Sequence, residues 1–360
     1  MSQVTLPSAF APPAVPPRWR IAFGTRQGKI MGEPTQWSSL AFSQRLAAPS
    51  EVTLRCNGKD IALGLVDELA TDMWVWLEDT LVFRGRVTGL DDDLSQDDHI
   101  VSLRAVDYRG LLDRRVLIEG DRTRFVQVPQ ADIVWILINQ SQAHSGGALG
   151  ITRGIVPPVR LRDRQYEYGA TVAELIDGLS EVIEGFDYEI DPLLRLNVYY
   201  PYRGRNAPVV LAYGGSVTAL ERRSSSSEFA NAIRVIGATG TAARTTYTTG
   251  IATDPLGRWE LSISDPDLKL QTTVNDRSTR FLLDRMARPD TYVITLAPGV
   301  WPTLGLGVGD WCTLQARCCR LDLTERVRIT EISFDADGEG AFTTKLAAIR
   351  DPLGGPVQPT

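Results

Sequence analysis

The residues that most resemble a catalytic cluster lie in the stretch AVDYRGLLDRR, residues 105–115, where an aspartate, a tyrosine and an arginine run from Asp107 to Arg109. Such groups could transfer protons or bind an anion. The chain has two histidines, His99 and His144, and neither has a GxSxG or other partner motif around it. Paired carboxylates of the glycosidase type stay open, because their separation requires a structure. No sequence feature favours one carboxylate pair over the others, so we expect that this chain is not an enzyme.

The cysteines, the acidic run and the glycine run predict no metal site and no cofactor. Cys318 and Cys319 are vicinal and no CxxC pair occurs, so we expect reduced structural thiols. The run DDDLSQDDH at 91–99 lacks the glycine and glutamate of an EF-hand and predicts a solvated loop tip. FDADGEG at 334–340 predicts a turn. LGLGVGDW at 304–311 precedes a strand rather than a helix, which predicts a tight strand entry rather than a nucleotide loop.

Tyrosines and arginines cluster in VYYPYRGR at 198–205. Both residue types are enriched at interface hot spots, so the cluster could bind a partner or stack on sugar rings. The simpler interpretation is a strand end and turn with partly buried rings. The candidate interface residues here are Tyr199, Tyr200, Tyr202 and Arg203.

The composition describes an ordinary globular protein of more than one core. Its 360 residues predict two or three domains, and 43% of them are hydrophobic. The 38 basic and 44 acidic residues give a formal charge of −6, which argues against broad electrostatic binding of nucleic acid. Nothing resembles a signal peptide or an apolar run of transmembrane length. We therefore expect synthesis in a cytoplasm and no membrane insertion by this chain.

Strand signals dominate the segment from Trp19 to about Ile118. VTLRCNGKDIAL predicts a hairpin turning at Asn57–Gly58, and MWVWLEDTLVFRGRVTGL predicts one turning at Glu78–Asp79–Thr80. HIVSLRAV predicts a third strand with Val101, Leu103 and Ala105 on one face. Short strands at regular spacing indicate an antiparallel barrel or sandwich.

The middle of the chain predicts a small α+β unit. PQADIVWILINQSQAH predicts a buried helix, and the ATVAELIDGLSEVIEG stretch has apolar residues at helical spacing. Thr171 and Glu174 offer a capping box, and Gly185 is expected to end that helix. Two strands are then expected to turn at Asp191–Pro192.

Strand character returns from Gly215, in NAIRVIGATG, RWELSIS, TYVITLAPGV, DWCTLQARCCRLDL, ERVRITEISFD and AFTTKLAAI, with one short helix in STRFLLDRMARPD. We therefore predict a mainly β fold with an α+β insertion, in which two related antiparallel β-barrel domains flank a small α+β domain. The predicted boundaries are a proline-rich arm 1–18, a first barrel 19–120, an insertion 121–214, a second barrel 215–350 and a tail 351–360.

Four stretches carry a resemblance to a known family. LVFRGRVTGLDDD resembles a hairpin whose strand ends in an F-x-G-x-V turn. VSLRAVDYRGLLDRR resembles a strand that is followed by an aspartate–aromatic turn and then by LLxRR. ATVAELIDGLSEVIEGFDYEID resembles the helix and hairpin of an inserted domain. SSSSEFANAIRVIGA resembles the serine-rich turn that leads into a second barrel. Over about residues 20 to 350 their order resembles the tail-hub (baseplate-hub) proteins of tailed bacteriophages, and more closely the minor tail proteins of actinobacterial siphophages.

The resemblance implies a structural virion protein at the tail tip. Three chains would form a ring that joins the hexameric distal tail ring to the tip and surrounds the channel. The implied partners are the distal tail protein, the tape-measure protein, other minor tail or tip proteins, and DNA in transit during genome ejection. The alternative is a receptor- or carbohydrate-binding tail-tip module for host attachment. No lysozyme or peptidase extension is recognised, so cell-wall hydrolysis is not expected.

In such a hub, the 105–115 stretch is better explained as architecture than as an active site. Asp107 is expected to cap the following turn through its carboxylate. Leu111 and Leu112 are expected to anchor that turn under the barrel. Arg114 and Arg115 are expected to point outward, toward a neighbouring chain or the acidic run.

Overall fold

The structure, a computed structural model, describes residues 18–350 apart from 97, 183, 225–228, 238–243, 248–255, 265–270 and 287–289. The strands are β1 (Trp19–Gly24), β2 (Ile30–Gly32), β3 (Trp37–Arg45), β4 (Glu51–Asn57), β5 (Asp72–Leu77), β6 (Thr80–Leu94), β7 (His99–Asp107), β8 (Arg124–Pro129), β9 (Thr152–Arg153), β10 (Leu161–Gln165), β11 (Asp187–Ile190), β12 (Arg195–Tyr199), β13 (Asn206–Ala212), β14 (Val217–Arg223), β15 (Ala232–Ile236), β16 (Arg244–Tyr247), β17 (Glu260–Ser264), β18 (Thr291–Leu296), β19 (Trp311–Cys318), β20 (Leu321–Asp337) and β21 (Phe342–Arg350). The helices are α1 (Gln130–Ala143), α2 (Val172–Ser180), α3 (Gln271–Met286) and α4 (Trp301–Leu304), with 3₁₀ helices at Ile61–Leu65 and Gly110–Arg114.

One sheet of 13 strands takes its strands from both flanking segments of the chain. Its main path runs β14-β18-β21-β20-β3-β4-β7-β6-β5-β1-β2, and β19 pairs with both β20 and β13. The mainly β class is confirmed. No sheet among the described residues closes into a barrel, so the prediction of two β-barrels is not confirmed.

The long strand β20 joins the two halves of this sheet. Its first half pairs antiparallel with β19, from Cys318↔Leu321 to Trp311↔Arg328. Its second half pairs with β3, from Glu331↔Arg45 onward. The sequence shows CRLDL and ERVRITEISFD as two strand signals, but the structure has one strand over 321–337, with an irregularity between Ile329 and Glu331 that shifts the buried face by one residue.

Alternating apolar residues bury one face of the sheet in a common core. Val101, Leu103 and Ala105 of β7 are buried, as predicted. Phe42 stacks on Phe334 with ring centroids 5.8 Å apart, across the β3–β20 pairing that joins the two segments. Because stacked or edge-on aromatic rings add to the burial of their area, this contact ties the two halves together.

The hairpin predicted to turn at Glu78–Asp79–Thr80 is confirmed, but its turn is only Glu78–Asp79, because Thr80 begins β6 and pairs with Leu77. The predicted hairpin at Asn57–Gly58 is wrong: β4 pairs with β3 and β7, and the chain after it enters the Ile61–Leu65 3₁₀ helix. Asp60 explains this, because its carboxylate accepts from Ala62 N over 2.9 Å and caps that helix.

The acidic run is only partly a loop tip. Asp91, Asp92 and Asp93 continue β6 and pair with β7 as far as Leu94↔His99. Arg104 lies 3.0 Å from Asp91 and compensates part of the negative charge along this ladder.

A second core gathers buried side chains between Tyr108 and Val198. We call residues 108–199 the inserted unit; it contains the 3₁₀ helix after β7, α1, α2, the β8–β10 pair and the three-stranded sheet β11-β12-β9. The capping box of Thr171 and Glu174 is present in full. α2 ends at Ser180 rather than Gly185, because the chain folds back and Phe186 N donates to Ser180 O.

NAIRVIGATG and RWELSIS do not join the 13-stranded sheet. They supply β15 and β17, which with β16 form a separate three-stranded sheet. Ile233 and Val235 of β15 pack on Val274 and Leu282 of α3, and this third cluster explains why these strands leave the main sheet. The domain boundaries given above remain predictions.

Within the residues that the structure describes, no helix has the length and apolarity needed to cross a membrane.

Candidate functional site

A buried polar network lies where the sheet meets the inserted unit, and Asp72 is at its centre. The Asp72 carboxylate is fully buried at the start of β5, beside Arg86 of β6 in the ladder. Arg86 Nε donates to Oδ1 over 2.7 Å, Tyr108 OH donates to Oδ2 over 2.7 Å, and Arg84 donates to Oδ2 over 3.3 Å. A buried carboxylate is tolerated only with such charged partners and hydrogen bonds. We call Asp72, Arg84, Arg86 and Tyr108 the Asp72 network.

The network fixes protonation states suited to a structural role. Burial lowers the pKa of Arg86, but its hydrogen bond and charge pairing with Asp72 outweigh burial, so that pKa is raised. Burial raises the pKa of Tyr108 to about 12, and Asp72 adds to the shift. Both groups are therefore protonated donors at neutral pH, and neither is poised to exchange a proton.

Arg109 extends the contact from the sheet into the inserted unit. Its Nη1 donates to Leu46 O over 2.9 Å, and its Nη2 donates to Asp177 Oδ1 of α2 over 2.9 Å. The guanidinium lies 4.2 Å from the ring centroid of Tyr188, whose OH donates to the same Asp177 oxygen over 2.8 Å. One planar cation thus contacts the sheet, a helix and a strand, which is the geometry for which arginine is suited. We call Arg109, Asp177 and Tyr188 the first joint.

The predicted turn residues, Asp107, Leu111 and Leu112, flank Arg109 in the chain. Asp107 Oδ2 accepts from Ser50 N over 2.8 Å, and Oδ1 accepts from Gly110 N over 3.1 Å at the start of the 3₁₀ helix. A Cβ on Gly110 would approach Val106 Cγ2 to 2.3 Å, so the close turn requires glycine. Leu112 is fully buried in the second core, and Leu111 packs against that core.

The two predicted interface arginines differ. Arg114 is exposed, while Arg115 is half-buried. Burial lowers the pKa of Arg115, and the nearby charges of Arg26 and Arg86 act in the same direction. The expectation that both point outward therefore fits Arg114 better than Arg115.

A second joint contacts the residue next to Tyr188 in β11. Arg328 of β20 forms an ion pair with Asp187 of β11 and donates to Arg203 O over 3.1 Å. Its guanidinium lies 4.6 Å from the ring centroid of Trp311 and 5.2 Å from that of Tyr202. We call Arg328, Asp187, Tyr202 and Trp311 the second joint. Two cations, Arg109 and Arg328, therefore hold β11 of the inserted unit at consecutive residues.

The tyrosine–arginine cluster is largely occupied by contacts within the chain. Tyr199 OH donates to Glu189 over 2.5 Å, and Arg203 forms an ion pair with Glu189 over 2.7 Å. Arg160 Nε donates to Tyr200 OH over 2.9 Å. With Tyr202 in the second joint, these residues stabilise the end of β12 and the connection to β13. That arrangement corresponds to the strand-end interpretation of the cluster.

The two histidines each lie beside a carboxylate. His99 Nε2 lies 2.7 Å from Asp92, and His144 Nε2 lies 2.9 Å from Asp121. Across the described part of the chain, no group of three or more histidine, cysteine, aspartate or glutamate residues could hold a metal ion. A cavity of about 30 Å³ lies between Asp107, Arg109 and Tyr188, which is room for about one water molecule.

Asp107, Leu111 and Leu112 could be recognised from the sequence, whereas the Asp72 network and both joints could not. One signal was present: Asp72 opens an apolar strand, and Arg84 and Arg86 share one face of the strand after the 78–79 turn. That hairpin register places an acid opposite an arginine. Asp177 and Asp187 carried no comparable signal, because their partners are remote in sequence.

No protein-family model and no curated protein sequence matches this chain. Solved structures do match it. The 43 kDa tail protein of prophage MuSo2 from Shewanella oneidensis gives a TM-score of 0.68 at 16% identity, covering 94% of this chain and 100% of that one. The tail protein from Neisseria meningitidis MC58 gives 0.63 at 11% identity, covering 93% and 97%.

A third structure is an E. coli component of the type VI secretion system, described as similar to the T4 bacteriophage tail proteins gp27 and gp5. It gives a TM-score of 0.52 at 15% identity, covering 94% of this chain and 79% of that one. At these identities the likeness shows the fold. The structural neighbours of this chain are phage tail proteins and a related secretion component; the closer tie to actinobacterial siphophages remains a prediction.

Proposed function

We propose that this chain is a structural protein of a bacteriophage tail, the hub at the distal end of the tail. The observation that carries the proposal is the match to a phage tail protein over nearly the full length of both chains. The buried network and the two joints support it, because they use the charged residues of the junction for cohesion rather than for turnover. A hub must transmit force without coming apart, and buried charge pairs give it a defined geometry.

The hub would be a homotrimer in contact with the distal tail protein ring, the tape-measure protein and the tip proteins. Among the described residues, the main path of the 13-stranded sheet ends at β14 and at β2, which are two different edge strands. Two different edges that meet head to tail give a heterologous contact, which closes into a ring when the rotation fits. DNA would pass through that ring, and the formal charge of −6 disfavours retention of its phosphates.

Sedimentation of the purified full chain tests the ring. Three copies of the 39.6 kDa chain give about 119 kDa. Ala219 is exposed on the edge strand β14, so Ala219→Lys should shift the population toward monomer. Ala41 is exposed on β3 inside the sheet and provides the matched control, because Ala41→Lys adds the same charge away from an edge.

A three-dimensional reconstruction of the virion tail decides the position. The hub proposal expects three copies around the tail axis, next to the hexameric ring. A single copy, or copies away from the axis, would contradict it. The receptor- or carbohydrate-binding alternative loses its main support, because Tyr199, Tyr200 and Tyr202 are engaged within the chain.

A further inference from the structure

Two exposed thiols lie side by side at the tip of the β19–β20 hairpin. Cys318 ends β19, Cys319 follows it in the turn, and their Sγ atoms are 3.4 Å apart. Cys56 and Cys312 are buried in the sheet core instead. The expectation of structural thiols therefore fits the buried cysteines and leaves the vicinal pair unexplained.

The backbone at Cys319 favours glycine. Its φ is +55°, in the left-handed region, and it occupies the first position of a two-residue turn between Cys318 and Leu321. Glycine is the usual residue at positive φ in such a turn, since a side chain there is strained. Turn geometry therefore gives no reason for a cysteine at this position.

The pair also borders a cleft large enough for a small molecule. The cleft has a volume of about 710 Å³, and its lining includes Cys318 and Cys319 together with Tyr213, Leu220 and Leu321. Ligand pockets commonly measure about 300–1,000 Å³. A molecule held in the cleft would lie beside both cysteines.

We propose that Cys318 and Cys319 form a dithiol exchange site, which reduces an incoming disulfide at this cleft and becomes a vicinal disulfide. One cysteine thiolate attacks a sulfur atom of the incoming disulfide, whose S–S bond breaks and releases one thiol. The second cysteine thiolate then attacks the cysteine sulfur of the mixed disulfide and releases the other thiol. The two protons lost by the cysteines go to the two thiols released, so the pair loses two electrons and the incoming disulfide gains them.

The product disulfide is expected to be reversible. Adjacent Cα atoms lie about 3.8 Å apart across a trans peptide, less than the roughly 4.4–6.8 Å of ordinary disulfides. Strain of this kind makes a disulfide easier to reduce. A reducing cytoplasm would keep the pair as thiols, and an oxidising medium outside the cell would close it. The cleft is also lined by Ala219 and Leu220 of β14, the strand whose edge the proposed function assigns to the ring contact.

The test is to incubate the full chain with oxidised glutathione under native conditions and to measure its intact mass. We expect the intact mass to fall by two hydrogen atoms, the loss to map to the peptide containing Cys318 and Cys319, and dithiothreitol to reverse it. Cys318→Ser and Cys319→Ser should each retain one glutathione instead, because the second displacement is blocked. The thiol hydrogen bond to Cys319 raises the pKa of Cys318, so closure should accelerate as the pH rises.

The buried cysteines supply the controls. Burial raises the pKa of Cys56 to about 12, and Cys56→Ala should still lose the two hydrogen atoms at the hairpin. Retention of two glutathiones by the wild type, covalent dimers, or no reaction at the pair would each overturn the proposal.

Discussion

Asp72 shows how one buried carboxylate can organise a junction between two cores. Its oxygens accept from Arg84, Arg86 and Tyr108, and Tyr108 is itself part of the second core. Charge removed from water is costly, and the cost is recovered only while every donor remains in place. The network therefore couples the register of the β5–β6 hairpin to the position of the turn after β7.

Replacing Asp72 by Asn should destabilise the chain strongly. Loss of the charge leaves Arg86 buried without its counter-ion, which costs about 3–5 kcal/mol in comparable pairs. The free energy of unfolding in urea measures this. Asp322 forms an exposed ion pair with Arg317, so Asp322→Asn is the matched control and should change little. Equal effects of the two substitutions would contradict the network.

Replacing Asp107 by Ala should impair folding or assembly rather than any turnover. The carboxylate accepts from Ser50 N and Gly110 N, which are only partly buried, so the loss should lie at the lower end of the about 1–3 kcal/mol that a buried N–H without an acceptor costs. Urea unfolding of the variant checks the loss.

The stability lost on replacing Asp107 by Ala should depend on pH in a definite direction. Burial raises the pKa of Asp107 above its usual value, so the folded chain holds the proton more tightly than the unfolded chain. Its contribution to stability is therefore greatest below the ordinary aspartate pKa of about 3.9 and declines as the pH rises through the folded value. The stability difference between wild type and Asp107→Ala should shrink over that window. A difference that widens over it would show the opposite shift.

At the scale of elements, features whose partners lie near in sequence could be predicted, whereas strand pairings between distant segments could not. The 78–79 hairpin, the α2 capping box and the β11–β12 turn could be predicted, since their partners are near in sequence. The β20–β3 pairing could not, because alternation specifies a face and not a neighbouring strand. Asp60 shows the same limit: Asn57–Gly58 signals a hairpin, but a cap three residues later redirects the chain.

The capping box of α2 should respond to the hydroxyl of Thr171. Thr171→Ala removes the acceptor of the Glu174 N–H and should cost about 1 kcal/mol. Thr171→Ser keeps the hydroxyl and should behave nearly as the wild type. Amide hydrogen exchange in α2 distinguishes the two, and equal exchange in both variants would show that the box contributes nothing.

For the whole molecule, the two joints decide how firmly the inserted unit is held. Arg328→Met removes the cation of the second joint and leaves the Asp187 carboxylate without its ion pair. Amide exchange in β11 should rise, while exchange in β4, inside the sheet, should stay slow. Arg317→Met is the matched control on β19, because Arg317 is exposed. A uniform rise across the sheet would indicate global unfolding instead of a released joint.

The shared strand β20 also sets the order of events during synthesis. β3 is complete once residue 45 has been made, but the part of β20 that pairs with it begins at Glu331. At roughly 5–20 residues per second, the ribosome needs about 15–60 s to supply that strand. Throughout that interval β3 has a free edge, and a free edge is a template for mispairing with other nascent chains. Production of this protein should therefore depend on translation speed and on chaperones that cover strand edges, more than its final stability would suggest.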